Sequence, residues 1–470
     1  MTQENLFCAL RAAFPDDVDA IAIETADTPD PLYYTWRDLE RGTAMLANLI
    51  DSLALPPESR IAVQTEKSVE ALMLYLAVLR AGHIYLPLNT AYQAGEVEYF
   101  IGNAEPAVVV CTEKNLRWVS DLAARLGTPY VFTLEDDRSG SLLDAAAPHS
   151  DRHTPALRAA DDLAAILYTS GTTGRSKGAM LTHGNLLSNA QVLKEVWGWQ
   201  AGDVLLHVLP IFHVHGLFVA SHGALLNGSR MIWFSRFDPR AVAARLPEAT
   251  VFMGVPTLYV RLLAEPGFTK EACRSMRLFI SGSAPLLIET FREFRERTGH
   301  TILERYGMSE TAMLTSNPYR PEDQRRGGTV GPALPGVSLR VRDDHGQSLP
   351  AGDIGGIEVR GPNVFRGYWR MPEKTAAEFT SDGWFMTGDV GHLSEDGYVT
   401  IVGRSKDLII SGGYNVYPAE IESVINDMPG VAESAVVGVP HADFGEAVVA
   451  IVVAKPGCTL DAAAMTARLK

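Results

Sequence analysis

Along the amino-terminal half, short apolar runs rich in β-branched residues alternate with longer segments whose apolar residues recur every three or four positions. Arg60 to Val63 reads as a strand, and Ser68 to Ala81 as a helix with Val69, Leu72, Leu76 and Leu79 on one face. Ala107 to Val110 and Tyr130 to Phe132 repeat the strand signal after amphipathic stretches. This rhythm predicts an α/β unit with largely parallel sheets. Asp136 to Asp162 is polar and is expected to be a surface connection into a strand at Ala164 to Tyr168. No solenoid-length repeat interrupts the pattern.

From about Val337 the pattern changes to short alternating strands separated by Gly and Asp turns: Leu339 to Arg342, Gly356 to Val359 and Tyr398 to Val402. A last unit starts near Lys406, with a helix at Pro418 to Asn426, strands at Ala432 to Val439 and Ala447 to Val453, and a helix-like stretch at Leu460 to Lys470. The expected fold class is therefore α/β. A large amino-terminal domain, residues 1–405, has parallel-rich sheets packed with helices and a β-rich module at 336–405; a small α+β unit over 406–470 follows.

Length and charge narrow the function. At roughly 150 residues per domain, 470 residues make two or three units. The balance of 41 basic against 56 acidic side chains leaves a charge of −15, which disfavours nucleic acid as a partner. With 46% apolar and 21% charged residues the chain has ample core. Apolar stretches such as Ala71 to Leu79 are far shorter than the ~20 residues a bilayer span needs, so no membrane role is expected. The start, Met1 to Asn5, has neither the basic-then-apolar order of a secretion signal nor an Arg-rich transit pattern, which points to the cytoplasm. Cys8, Cys111, Cys273 and Cys458 are widely spaced and read as incidental thiols.

The stretch Tyr168-Thr169-Ser170-Gly171-Thr172-Thr173-Gly174-Arg175-Ser176-Lys177-Gly178 carries most of the chemical information. It follows a strand and combines glycines that admit an anion close to the backbone, hydroxyl donors, and the cations Arg175 and Lys177. That is a loop suited to a polyphosphate, although it fits neither the Walker nor the dinucleotide pattern; a mobile linker is the other reading of such a composition.

Together with Glu304-Arg305-Tyr306-Gly307-Met308-Ser309-Glu310-Thr311, Thr387-Gly388-Asp389 and Gly403-Arg404-Ser405-Lys406-Asp407, this loop resembles the adenylate-forming enzymes: acyl-CoA synthetases, luciferases and peptide-synthetase adenylation domains. The resemblance covers essentially the whole chain. Within that family, Phe212-His213-Val214-His215-Gly216-Leu217 and Ser281-Gly282-Ser283-Ala284-Pro285-Leu286 look most like the malonyl-CoA synthetases. The resemblance implies an AMP-forming ligase with ATP, Mg²⁺ and CoA as co-substrate, acting on a small-molecule carboxylate.

It also implies roles for residues. Thr169, Ser170, Gly171, Thr172, Thr173, Gly174 and Lys177 would hold the phosphates, Thr311 would touch the α-phosphate, and Glu310 would help hold Mg²⁺. Glu304, Arg305, Tyr306, Gly307, Met308, Ser283, Ala284 and Pro285 would line the nucleotide pocket, with Tyr306 against adenine. Asp389 would accept from both ribose hydroxyls, reinforced by Arg404. For a dicarboxylate, Arg236 would meet the distal acid, His213 would stand beside the reacting carboxylate, Ser283 would adjoin it, and Met308 would limit space at the α-carbon. Lys406 would be the hinge of a mobile carboxy-terminal lid whose Gly412, Gly413 and Tyr414 meet the pantetheine arm.

One family feature is not found. Members carry a Gly-Lys segment whose lysine contacts carboxylate and phosphate during adenylation, and neither Lys455 nor Lys470 matches it. The lid is therefore expected to be truncated here, with adenylation slowed by roughly two to three powers of ten and nucleotide binding kept. A short-chain or aryl acyl-CoA synthetase, and a nucleotide-binding protein without full activity, stand as the alternatives.

Overall fold

The computed structural model describes residues 3–28, 30–169, 175–411, 414–441 and 445–469, with backbone alone at Tyr414 and Asn415. Two large sheets form the body. The first runs in the order Ala312–Ser316, Leu303–Met308, Leu278–Ser281, Val251–Gly254, Val204–His207, Arg230–Trp233, Ile21–Thr25, Tyr33–Thr35, parallel throughout except at its two edges. The second runs Gly367–Tyr368, Lys177–Thr182, Leu163–Thr169, Ile84–Pro87, Arg60–Gln64, Val108–Cys111, Tyr130–Thr133. Its parallel strands are the continuously apolar ones, as expected where helices cover both faces. Helix Val69–Arg80, opened by the Ser68 hydroxyl accepting from the Ala71 amide at 3.1 Å, joins residues of both sheets in one core.

That helix differs from its predicted one-sided burial, since every one of its residues is buried. Arg80 is tolerated inside because it donates to the carbonyls of Glu40 and His153 and pairs with the Glu40 carboxylate at 2.9 Å. The polar 136–162 connection also differs from expectation. It contains helix Ser141–Ala146, which buries Leu142 and Ala146 and, at six residues or less than two turns, is too short to show a period.

A four-stranded antiparallel sheet, Ser338–Arg342, Gly355–Arg360, Phe385–Leu393 and Val399–Arg404, forms the β-rich module. The last unit pairs Tyr414–Val416, Ile409–Ser411, Gly445–Ala454 and Val431–His441 beside helix Pro418–Asn426. It has its own small core of Ile409, Ile425, Met428, Val431 and Val436. Among the described residues, no helix is long and apolar enough to cross a membrane.

Candidate functional site

Two cavities abut at the ends of the first sheet's parallel strands, where loops leave the carboxyl ends. The smaller, about 370 Å³, is lined by the 281–286 loop, residues 304–308, Asp389 and Arg404. The larger, about 490 Å³, is lined by Lys67, Val208, Ile211, His213 and Arg236 among others. Ser283 borders both, in a left-handed conformation at φ +71° that a serine adopts only under local constraint.

Around the smaller cavity the sequence folds tightly. A Cβ at Gly282 would lie 2.5 Å from the buried Arg305 guanidinium, so any larger residue there would force that side chain to shift. Arg305 Nε and Nη2 have no acceptor among the described residues, and burial pulls the guanidinium down to about 9. Burial likewise pushes the Glu304 carboxyl up to about 8, although it accepts from the Gly328 amide at 3.2 Å. The Tyr306 hydroxyl donates to the Asp389 carboxylate, whose other oxygen lies 3.3 Å from Arg404 Nε. Burial raises the Asp389 carboxyl against both partners. Gly307, Met308, Ala284 and Pro285 complete the wall. Met308 thus lines this cavity, as expected of a nucleotide-wall residue, and is not among the residues lining the larger one.

The phosphate-loop residues Ser170, Gly171, Thr172, Thr173 and Gly174 lie outside the described residues. Their flanks are described. The loop leaves strand Leu163–Thr169 and returns into Lys177–Thr182. Lys177 Nζ pairs with Glu378 at 2.8 Å. The Tyr368 hydroxyl stands within hydrogen-bonding distance of two carboxylates, Glu378 at 2.7 Å and Glu310 at 3.1 Å. The Thr169 hydroxyl reaches Glu310 at 3.3 Å. Burial raises the Glu310 carboxyl. Burial pushes Glu378 the same way, but bonds from Lys177, Tyr368 and Lys374 outweigh it and hold that carboxyl below its ordinary value. Thr311 is fully buried, its hydroxyl donating to the Ala312 carbonyl at 3.2 Å.

On the larger cavity, Arg236 follows strand Arg230–Trp233 and is exposed toward the opening. Its guanidinium forms no ion pair with a described residue. Asp238, the obvious neighbour, instead caps helix Pro239–Arg245 by accepting from the Ala241 amide at 2.7 Å. His213 accepts from the His215 amide at 3.3 Å, and burial with the nearby Arg305 charge lowers its imidazole below the usual range. His215 opens a π-helical segment, His215–Ser221, a form concentrated at functional sites. A Cβ at Gly216 would fall 2.0 Å from the Pro210 carbonyl oxygen, so the wall requires glycine there.

Lys406 lies in a one-turn 3₁₀ segment, Ser405–Asp407, between the β-rich module and the last unit. Tyr414 begins strand Tyr414–Val416, and Gly412 and Gly413 lie outside the described residues. Sequence reasoning missed Tyr368, Glu378, Lys67 and Asp27. Each acts on a partner more than fifty positions away, beyond the reach of any local spacing.

The two-cavity body, the β-rich module and the small last unit make up the fold of the adenylate-forming enzymes. The chain belongs to the AMP-binding enzyme family, whose description matches residues 11–369; that of the AMP-binding enzyme C-terminal domain matches residues 420–470. It is 36% identical over 419 residues to a malonate–CoA ligase of Arabidopsis thaliana, covering 84% of this chain and 68% of that one. It is 34% identical over 441 residues to a feruloyl-CoA synthase of an Amycolatopsis species, covering 93% and 87%. The crystal structure of ATP-bound MatB from Rhodopseudomonas palustris superposes with a TM-score of 0.95 at 55% identity, covering 100% of this chain and 92% of that one.

Proposed function

We propose that the chain is an ATP-dependent malonate–CoA ligase that forms the thioester through an acyl-adenylate and releases AMP and pyrophosphate. The observation that carries this reading is Arg236: a guanidinium without an ionic partner among the described residues, on a cavity that shares Ser283 with a nucleotide-sized neighbour. Malonate's second acid group, set unpaired among Val208, Ile211 and Leu258, would cost several kcal/mol. Arg236 offers it a two-pronged partner. The likeness to relatives named malonate–CoA ligases and to MatB points the same way.

In the first half-reaction the near carboxylate oxygen attacks the α-phosphorus and pyrophosphate leaves. In the second, the CoA thiolate attacks the acyl carbon, the bond from that carbon to the phosphate oxygen breaks, and AMP leaves with the electron pair. Asp389 would accept from the ribose hydroxyls once Tyr306 turns to the base, and Arg404 would support it. Ser283, Ala284, Pro285, Gly307, Glu304 and Arg305 would shape the nucleotide wall, and Met308 would bound both the nucleotide and the α-carbon. Lys177 would exchange Glu378 for phosphate oxygens, alongside the 169–174 loop. Thr311 would act at the α-phosphate after its hydroxyl leaves the Ala312 carbonyl. Glu310 and Thr169 present oxygen donors only, which fits a hard cation, and bound Mg²⁺ would offset phosphate charge. His213, held neutral, would stand beside the reacting carboxylate without protonating the incoming thiolate. A swing about Lys406 would bring Gly412, Gly413 and Tyr414 to the pantetheine arm.

The test compares malonate, propionate and benzoate by mass-spectrometric detection of the CoA thioester. Malonate is expected to be preferred, and Arg236→Ala to raise its KM about 100-fold while the ATP KM stays within about twofold. Equal use of propionate, or unimpaired malonate use by Arg236→Ala, overturns the reading in favour of a monocarboxylate or aryl substrate.

A further inference from the structure

The main chain that carries Arg236 is held by two polar side chains from distant parts of the sequence, Asp27 on its amides and Lys67 on its carbonyls. One Asp27 carboxylate oxygen accepts three bonds: the Ser235 amide at 2.7 Å, the Ser235 hydroxyl at 2.6 Å and the Arg236 amide at 3.1 Å. Lys67, largely buried at the edge of the larger cavity, donates to the Phe234 carbonyl at 2.7 Å and the His207 carbonyl at 3.0 Å, its Nζ 4.3 Å from the centre of the Trp233 ring. The Trp233 carbonyl accepts from the Ala26 amide at 2.9 Å, and the Phe234 amide donates to the His207 carbonyl at 3.1 Å. The polar main-chain groups from the Trp233 carbonyl to the Phe234 carbonyl, and the two amides that follow, are thus engaged.

We propose that Asp27 is a positioning residue for acid recognition: by fixing the amides of Ser235 and Arg236 it sets where the Arg236 guanidinium stands over the larger cavity. The inference rests on the reading that Arg236 receives the distal carboxylate. Physical reasoning favours a main-chain anchor here. Arginine loses about 2 kcal/mol of rotamer freedom when ordered, and Arg236 has no side-chain partner among the described residues to order it before substrate arrives. A carboxylate that accepts main-chain amides makes charge-assisted bonds, roughly twice as strong as neutral ones. It leaves the guanidinium uncompensated, which an ion pair to the same side chain would not. Lys67 serves the same turn, since its bond to the Phe234 carbonyl closes the clamp on the carbonyl side.

A double-mutant cycle separates this from a general structural role. Malonate and ATP KM values are measured for wild type, Asp27→Ala, Arg236→Ala and the double variant, with thermal midpoints as the folding control. Asp27→Ala is expected to raise the malonate KM about tenfold and leave the ATP KM within about twofold. In the Arg236→Ala background it is expected to add less than about twofold, because the two act through one contact. Asp27→Asn, which keeps an acceptor oxygen at the same reach, is expected to restore the malonate KM to within about threefold of wild type. Ser235→Ala removes the hydroxyl bond alone and is expected to raise it about threefold, which keeps the proposal testable if Asp27→Ala does not fold. Full persistence of the Asp27→Ala effect without Arg236, an unchanged malonate KM in Asp27→Ala or Ser235→Ala, or failure of the asparagine rescue overturns the proposal. A malonate KM unmoved by Arg236→Ala alone overturns the reading beneath it instead.

Discussion

On the nucleotide side most of the polar groups are engaged with one another, Tyr306 with Asp389, Lys177 with Glu378, and Tyr368 with both Glu378 and Glu310, while Arg305 keeps Nε and Nη2 without an acceptor among the described residues. On the acyl side the principal cation, Arg236, has no ionic partner among the described residues, and only its backbone is tied. The contrast follows from what each side has to receive. A triphosphate brings several charges and many acceptor oxygens, enough to displace stored ion pairs, and those pairs spare the empty site the cost of isolated buried charges. A small dicarboxylate brings one spare acid group. A cation already committed to a protein carboxylate would gain little by exchanging it, so keeping Arg236 free preserves affinity where the ligand has least to offer.

Four measurements bear on this contrast, beginning with the largest effect. Gly216→Ala sets a Cβ against the Pro210 carbonyl, a backbone collision that no rotamer relieves. It is expected to cost about 3 kcal/mol or more, read as a fall in thermal midpoint. A melt unchanged from wild type would mean that the acyl wall is not rigid and that its cation is not pre-set.

Glu304→Gln tests the nucleotide wall through pH. The buried carboxyl titrates at about 8, above the ordinary 4.5 of an unfolded glutamate, so the folded state holds a proton that the unfolded state gives up between those values. Wild-type stability therefore falls as pH rises from about 4.5 to about 8 and levels off above it, by an amount on the order of a few kcal/mol. Glutamine lacks this penalty while keeping the acceptor for Gly328. The thermal midpoint of Glu304→Gln minus that of wild type should widen across that window, and a difference independent of pH would contradict the assignment.

Asp389→Asn is expected to raise the ATP KM about tenfold with the malonate KM unchanged, since a bond to a charged acceptor contributes about 1.5–3 kcal/mol. Equal effects on both substrates would erase the division between the cavities. Glu378→Gln is the mildest and the most pointed. With the competitor for Lys177 neutral, the ATP dissociation constant measured by calorimetry should fall severalfold while the ligand-free protein melts lower. Weaker ATP binding would instead make Glu378 a participant in phosphate binding.

Much of this architecture was legible in sequence because its signals are local. The buried parallel strands read as apolar runs, the three- and four-residue spacing of Val69, Leu72, Leu76 and Leu79 marks helix Val69–Arg80, and helix Pro418–Asn426 is bounded as expected. The motif residues that flank the cavities were legible as well: Ser283, Tyr306, Asp389 and Arg404 line the smaller one, and Arg236 and His213 the larger. What escaped was pairing at a distance. Lys177 and Glu378 are 201 positions apart, and Asp27 and Arg236 are 209 apart, so neither pair leaves a spacing to recognise. The full burial of helix Val69–Arg80 escaped for a related reason, because Arg80 reads as a surface residue until Glu40 and two carbonyls are known to meet it.

Ser283 is a party wall. Because this one backbone-constrained residue borders both chambers, a bulkier side chain there is expected to crowd the two together rather than one alone. A change confined to one tenant belongs instead at Arg236, which lines the larger chamber and not the smaller.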